Sequence, residues 1–188
     1  MVQYPNNIKK DFTKLSVSHS NRGMNLENLI NQSNEYYLRK DKALIYKKPT
    51  PIGVVDVSYK NHKKVIEKAY FKEQTTLDYN GLYRGKYIDF DAKETLNKTS
   101  FPLSNIHEHQ IEHIRNVIRH KGIAFLIIRM NGLIYLLPGE NLINYIDNEE
   151  RKSIAYKYIQ ENAYIIKEGY QPSLDYLKIV DEVFFKGE

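Results

Sequence analysis

The chain has 188 residues, 41% hydrophobic and 27% charged, with 9 Gly, 6 Pro and no Cys, which suits one domain with one core and is unlike a disordered, collagenous or coiled-coil composition. The lack of cysteine excludes a disulfide framework, thiol catalysis and Cys-ligated zinc or iron–sulfur centres. No apolar run approaches the ~18 residues of a membrane span, and the N-terminus lacks the apolar stretch of a signal peptide, so a cytoplasmic protein is expected.

The net charge of +5 is unevenly placed: residues 39–73 carry ten Lys/Arg against four acids, whereas residues 140–188 carry six against ten. A polyanion would therefore meet positive charge in one stretch. The 16 Tyr, with no Trp, suit either a core or stacking on bases.

Residues 1–20 are polar and aperiodic and read as a flexible tail, leaving 21–188 as a single domain. From Asn21, NRGMNLENLINQSNEYYLRK places Leu26, Leu29, Ile30 and Tyr37 on one helical stripe. Residues 43–48 read as a strand stopped by Pro49 and Pro51, and residues 53–59 as another, after which YKNHKKVIEKAYFK intervenes as a basic stretch. Two further strands turn at Arg84-Gly85. From Tyr87 onward, Ile88, Phe90 and Ala92 face one way and Tyr87, Asp89, Asp91 and Lys93 the other. Asn80-Gly81 is a competing turn that would spoil this register, and Gly81 equally suits a bulge.

Beyond Pro102, Ser104 is placed to cap a helix running to about Lys121, with Ile106, Ile114, Val117 and Ile118 on its apolar face and Gly122 in the left-handed position that ends it. IAFLIIRM, Asn131-Gly132 and LIYLL form a hairpin with a type I′ turn, closed by Pro138. Residues 140–146 and 148–162 read as helical, followed by a short YIIK strand and a mixed acidic tail. This order indicates a mixed α/β sheet flanked by helices, without internal repeats.

In the register set by the Arg84-Gly85 turn, Asp78 stands opposite Asp91 and Thr76 opposite Lys93, so the four side chains project from one sheet face as a polar square. Opposed carboxylates repel unless a cation lies between them, and an all-oxygen site of this kind suits a hard ion such as Mg²⁺. A solvated strand face would carry the same residues without any ion. Gln110 interrupts the apolar stripe of its helix; it either faces the charged square or is a buried Gln bonded to backbone. HQIEH (His109 to His113) matches the H-x-x-E-H zinc pattern, but a third ligand cannot be identified downstream. No Gly-rich phosphate loop, G-x-S-x-G elbow or Ser/His/Asp order is present, so nucleoside-triphosphate hydrolysis and serine-hydrolase chemistry are unsupported.

TTLDYNGLYRGKYIDFDAKET, followed by FPLSNIHEHQIEHI and preceded by NRGMNLENLI, resembles the RecU-type Holliday-junction resolvases of low-GC Gram-positive bacteria over most of the chain. The resemblance implies a PD-(D/E)xK nuclease core with a protruding stalk, a homodimer, and Mg²⁺-dependent nicking of four-way DNA junctions in recombination, repair and chromosome segregation, with Mn²⁺ as a substitute ion. Carried onto this sequence, Thr76, Asp78, Asp91 and Gln110 fall on metal-site positions, Lys93 on the transition-state-stabilising lysine, and Glu27 on a looser accessory acid. Asp78, Asp91 and Lys93 are thus the candidate catalytic set. One departure is visible: the family usually has Glu where Asp91 stands, and Asp is one methylene shorter.

The insertion at about residues 49–74 falls on the stalk. Lys47, Lys48, Tyr59, Lys60, Lys63, Lys64, Lys68, Lys72 and Arg84 are the candidate DNA contacts, and junction preference would come from shape, because phosphate contacts carry no sequence information. A recombinase and a branch-migration helicase belong to the same setting as partners. Two rival readings stand beside this one: a PD-(D/E)xK nuclease for another branched DNA, and a structure-specific DNA-binding protein with impaired catalysis.

Overall fold

A six-stranded sheet carries the architecture in the computed structural model, which describes residues 25–72 and 76–187. The tail, the first residues of the opening helical segment and residues 73–75 lie outside the described residues. The opening helix α1 is Leu26–Arg39, and Asn25 caps it, its side-chain oxygen accepting the Asn28 N–H. β1 is Leu44–Lys47, β4 Tyr79–Tyr83 and β5 Lys86–Glu94; β7 is Ile123–Met130, β8 Leu133–Pro138 and β10 Tyr164–Ile165. Across the sheet the order is β1-β4-β5-β7-β8-β10. Only β5 and β7 run parallel among these pairs. Their crossover holds β6 (Ser100–Pro102), a 3₁₀ turn and helix α2, Glu108–Arg119.

The period-2 alternation of β5 and β7 divides the core in two. Ile88, Phe90, Phe125 and Ile127 pack with α1 and with α5 (Tyr176–Phe184) on one face. Leu126, Ile128, Tyr135 and Leu137 pack on the other with α2, α3 (Gly139–Asn148) and α4 (Tyr156–Asn162). Asp89 and Asp91 alternate with Ile88 and Phe90, so they emerge beneath α2, where both are fully buried. The first face is anchored by an aromatic stack, with Tyr79 and Phe125 on either side of Phe90 at centroid distances of 4.9 and 4.7 Å.

The expected register holds: Tyr79 pairs with Phe90 and Gly81 with Ile88, with Arg84 and Gly85 at positive φ in the turn. Gly81 is neither turn nor bulge. A Cβ there would lie 1.9 Å from the Leu44 carbonyl oxygen, so glycine is what lets β1 approach β4. Asn131-Gly132 forms its turn with both residues at positive φ.

Five expectations are corrected or completed. The basic stretch, given no element from the sequence, holds a strand: Lys63–Phe71, β3, pairs with β2, Ile52–Lys60, in a separate two-stranded sheet. Asn61 and His62, both at positive φ, make its turn. Ser104 lies in the 3₁₀ turn and His107 takes the cap position of α2, while the left-handed residue after that helix is Lys121 rather than Gly122. Gly122 answers to crowding, because a Cβ there would lie 2.8 Å from Val117 Cγ1. Residues 148–162 are not one helix, since β9 (Ser153–Ala155) leaves that run to pair with β6 before α4 begins. The acidic tail contains α5, whose Leu177 and Val180 complete the first core face.

Candidate nuclease site

Asp91 is a carboxylate removed from water and surrounded by three functional groups. Its Oδ1 accepts the Ala92 N–H at 2.7 Å, and Oδ2 accepts Gln110 Nε2 at 2.5 Å and faces Lys93 Nζ at 3.1 Å. The negative charge of Asp78 lies near enough to act on it. Burial pushes the Asp91 carboxyl up to about 6; Lys93 opposes that shift and the negative charge of Asp78 adds to it. A carboxylate pair that resists full ionisation is an arrangement a divalent cation relieves.

Gln110 reconciles two readings that the sequence left open. Its Oε1 accepts the His107 N–H at 3.1 Å at the start of α2 while its Nε2 reaches Asp91. It is a buried Gln bonded to backbone and it also faces the site. In this arrangement it orients Asp91 with its amide nitrogen.

Asp78 precedes the first ladder pair, and its carbonyl accepts the Lys48 N–H at 2.7 Å. Thr76 lies two residues further out, with its hydroxyl 3.4 Å from the Leu77 carbonyl. Glu27 and Asp78 line one cleft together with Asn25, Tyr79, Ala92 and Glu94. Glu94 Oε1 accepts the Leu26 N–H at 2.6 Å and so satisfies a free donor of α1, which fixes Glu27 over the cleft. Glu27 is ion-paired with Lys47 at 2.6 Å.

Several expected DNA contacts are engaged within the chain. Lys48 Nζ lies 2.9 Å from Asp89, and Arg84 bonds Asp181 at 3.1 Å while its guanidinium sits 4.3 Å from the Phe185 ring centroid. These two ion pairs fasten strand ends and the α5 helix. Lys60 pairs with Glu67 at 2.7 Å across the β2–β3 hairpin. Tyr59, Lys63, Lys64, Lys68 and Lys72 are exposed on the hairpin, with Tyr70 and Phe71 beside them.

His113, singled out with His109 as a zinc pattern, has its Nε2 2.8 Å from Asp89 Oδ2. Among the described residues no group of three or more His, Cys, Asp or Glu gathers around one point. The Asp89 cluster was missed in the sequence. Its signal was there, since Asp89 shares a strand face with Asp91 and His113 shares a helix face with Gln110.

Residues 21–182 match the family model described as RecU: Recombination protein U. The Holliday junction resolvase RecU of Bacillus subtilis (strain 168) is 46% identical over 198 residues, covering 98% of this chain and 96% of the relative. That of Geobacillus sp. (strain WCH70) is 48% identical over 184 residues, covering 95% and 92%. The solved structure of Archaeoglobus fulgidus Hjc, a Holliday junction resolvase, overlays with a TM-score of 0.41 at 7% identity, covering 72% of this chain and 92% of that one.

Proposed function

The chain belongs to the recombination protein U family, and from that premise we propose that it is a Mg²⁺-dependent endonuclease of the PD-(D/E)xK type that resolves four-way DNA junctions by paired, symmetric nicks. The observation that carries the metal-dependent reading is the convergence of Asp78, Lys93 and Gln110 on the buried Asp91 carboxylate. The donor set fits the ion: two carboxylates, Asp78 and the buried Asp91, offer hard oxygens. Asp78 and Asp91 would hold it. Mn²⁺, with similar oxygen preferences, would substitute.

When bound, Mg²⁺ supplies Lewis-acid polarisation of the phosphate and acidification of water. The chain's own residues do the rest. Gln110 fixes the Asp91 rotamer, and Lys93 keeps a compact cation where negative charge develops on the scissile phosphate. Glu27, which lines one cleft with Asp78, is the accessory acid. Two copies related by a twofold axis would present two such sites to a substrate of matching symmetry, which accounts for paired nicks. The setting is cytoplasmic, with a recombinase and a branch-migration helicase as partners; no helix among the described residues is long and apolar enough to cross a membrane.

A mobile synthetic four-way junction incubated with Mg²⁺ should yield symmetric nicks, with forks and linear duplex cut far more slowly and no cleavage in excess EDTA. Nicking that persists in EDTA would remove the metal from the mechanism.

The β2–β3 hairpin is the DNA-gripping element in this reading, because it stands as its own sheet with cations and aromatic rings exposed together. Replacing Lys63, Lys64 and Lys68 by Ala is expected to weaken junction binding and lower the slope of log K against log[salt] by about 2–3, on the order of 0.9 for each phosphate that is no longer neutralised. An unchanged slope in a titration from low to moderate salt would place the DNA surface elsewhere.

A further inference from the structure

Beside the nuclease centre lies a second buried polar cluster whose members are tied to it. Asp89 is fully buried and sits two residues before Asp91 on the same face of β5. Its carboxylate accepts Lys48 Nζ on both oxygens, at 3.1 and 2.9 Å, and the Tyr87 hydroxyl at 2.6 Å, and it lies 2.8 Å from His113 Nε2. A buried carboxylate with this many partners is fully satisfied, yet apolar residues of similar volume generally stabilise a core about as well. What the cluster provides that an apolar patch does not is fixed relative position.

Two rungs join β5 to α2: Asp89 to His113 and Asp91 to Gln110. Their ends are two residues apart on the strand and three apart on the helix, so α2 cannot slide or roll along β5 without losing both. The same carboxylate reaches the other half of the site. Lys48, bonded through its side chain to Asp89, donates its backbone N–H to the carbonyl of Asp78, which lies beyond the sheet ladder.

We propose that Lys48, Asp89 and His113 form a positioning clamp for the nuclease site, in which Lys48 sets Asp78 and His113 sets Gln110 and, through it, Asp91. Lys48 is then a positioning residue acting through Asp89, and no phosphate contact is required of it. This deepens the reading of Asp78 and Asp91 as a divalent-ion site and rests on it.

The test compares Lys48→Met, Lys48→Arg and the double variant Lys48→Met/Asp89→Leu, the last removing the buried charge together with its partner so that the fold is not left with an unpaired carboxylate. Mn²⁺ binding to the DNA-free protein is measured by calorimetry, junction binding by gel shift without metal at several salt concentrations, and nicking as a function of Mg²⁺. Lys48→Met and the double variant should bind Mn²⁺ roughly tenfold more weakly and need correspondingly more Mg²⁺ for half-maximal nicking. Junction affinity and its salt slope should stay as in the unaltered protein, and Lys48→Arg should recover most of the Mn²⁺ affinity. Unaltered Mn²⁺ affinity in a folded double variant overturns the clamp, as does a loss of junction affinity with a lowered salt slope in Lys48→Met, which would make Lys48 a phosphate contact. An unaltered protein that binds no Mn²⁺ overturns the divalent-ion reading itself and is thereby told apart from failure of the clamp alone.

Discussion

Lys93→Ala is expected to slow junction nicking by roughly a hundred- to a thousandfold, the range for removing one fixed stabiliser of transition-state charge, while junction binding without metal stays near that of the unaltered protein. The ammonium lies 3.1 Å from Asp91 and its side chain is only 17% exposed, so it is held close to the carboxylates instead of swinging in solvent. A lysine held this way has little to offer DNA affinity at large and much to offer one phosphate drawn in beside Asp91. Its removal also changes the charge beside Asp91, so metal affinity should shift as well. Single-turnover nicking at saturating Mg²⁺ separates the two effects, because excess ion restores occupancy but not the missing cation. Near-normal nicking under those conditions would take Lys93 out of the chemistry.

The parts of this protein that were legible in its sequence are those where local rules and burial agree. The Arg84-Gly85 turn fixed the β4–β5 register, and with it the opposition that brings Asp78 toward Asp91, because the two residues at positive φ leave the hairpin one pairing. Alternation assigned Asp91 to the face away from Phe90. It could not tell that α2 covers that face, since charged side chains at every second position look the same whether water or a helix lies above them. For the same reason Lys48 read as a free cation, while its partner Asp89 is 41 positions away in sequence. The strand β3 was hidden differently. Its residues are exposed throughout, so no apolar alternation marks it, and its turn uses Asn61-His62 in place of a glycine-bearing pair. The helix α5 depends on long-range packing against α1, exemplified by Tyr37, whose hydroxyl donates to the Leu174 carbonyl just before that helix begins.

Asp91→Asn is expected to stop nicking and yet to raise the melting temperature of the metal-free protein at pH 7. Asp91 sits in the fold with its pKa pushed from 3.8 to about 6, chiefly by burial. A carboxyl whose folded pKa lies above its unfolded value favours the fold in its protonated form; that contribution is complete below about pH 4 and is lost as the pH climbs through 6. At pH 7 the unaltered protein therefore folds against the cost of a buried negative charge, which a neutral amide of the same shape does not incur. Because the variant leaves Lys93 without its partner and turns an amide nitrogen toward a hydrogen-bond donor, the net gain should be modest, a rise of a few degrees at most. The difference between the two proteins should be small at pH 4, open between pH 4 and 6, and level off above. Saturating Mg²⁺ should then close it at pH 7, since the ion binds the folded unaltered protein and stabilises it by mass action, whereas the amide variant has lost a charged donor. Thermal melts across pH 4–8, with and without Mg²⁺, follow both trends at once. A variant less stable than the unaltered protein at pH 7 without metal would mean that Lys93 and Gln110 already compensate the Asp91 charge, and burial of this charge would then give no ground for a divalent ion.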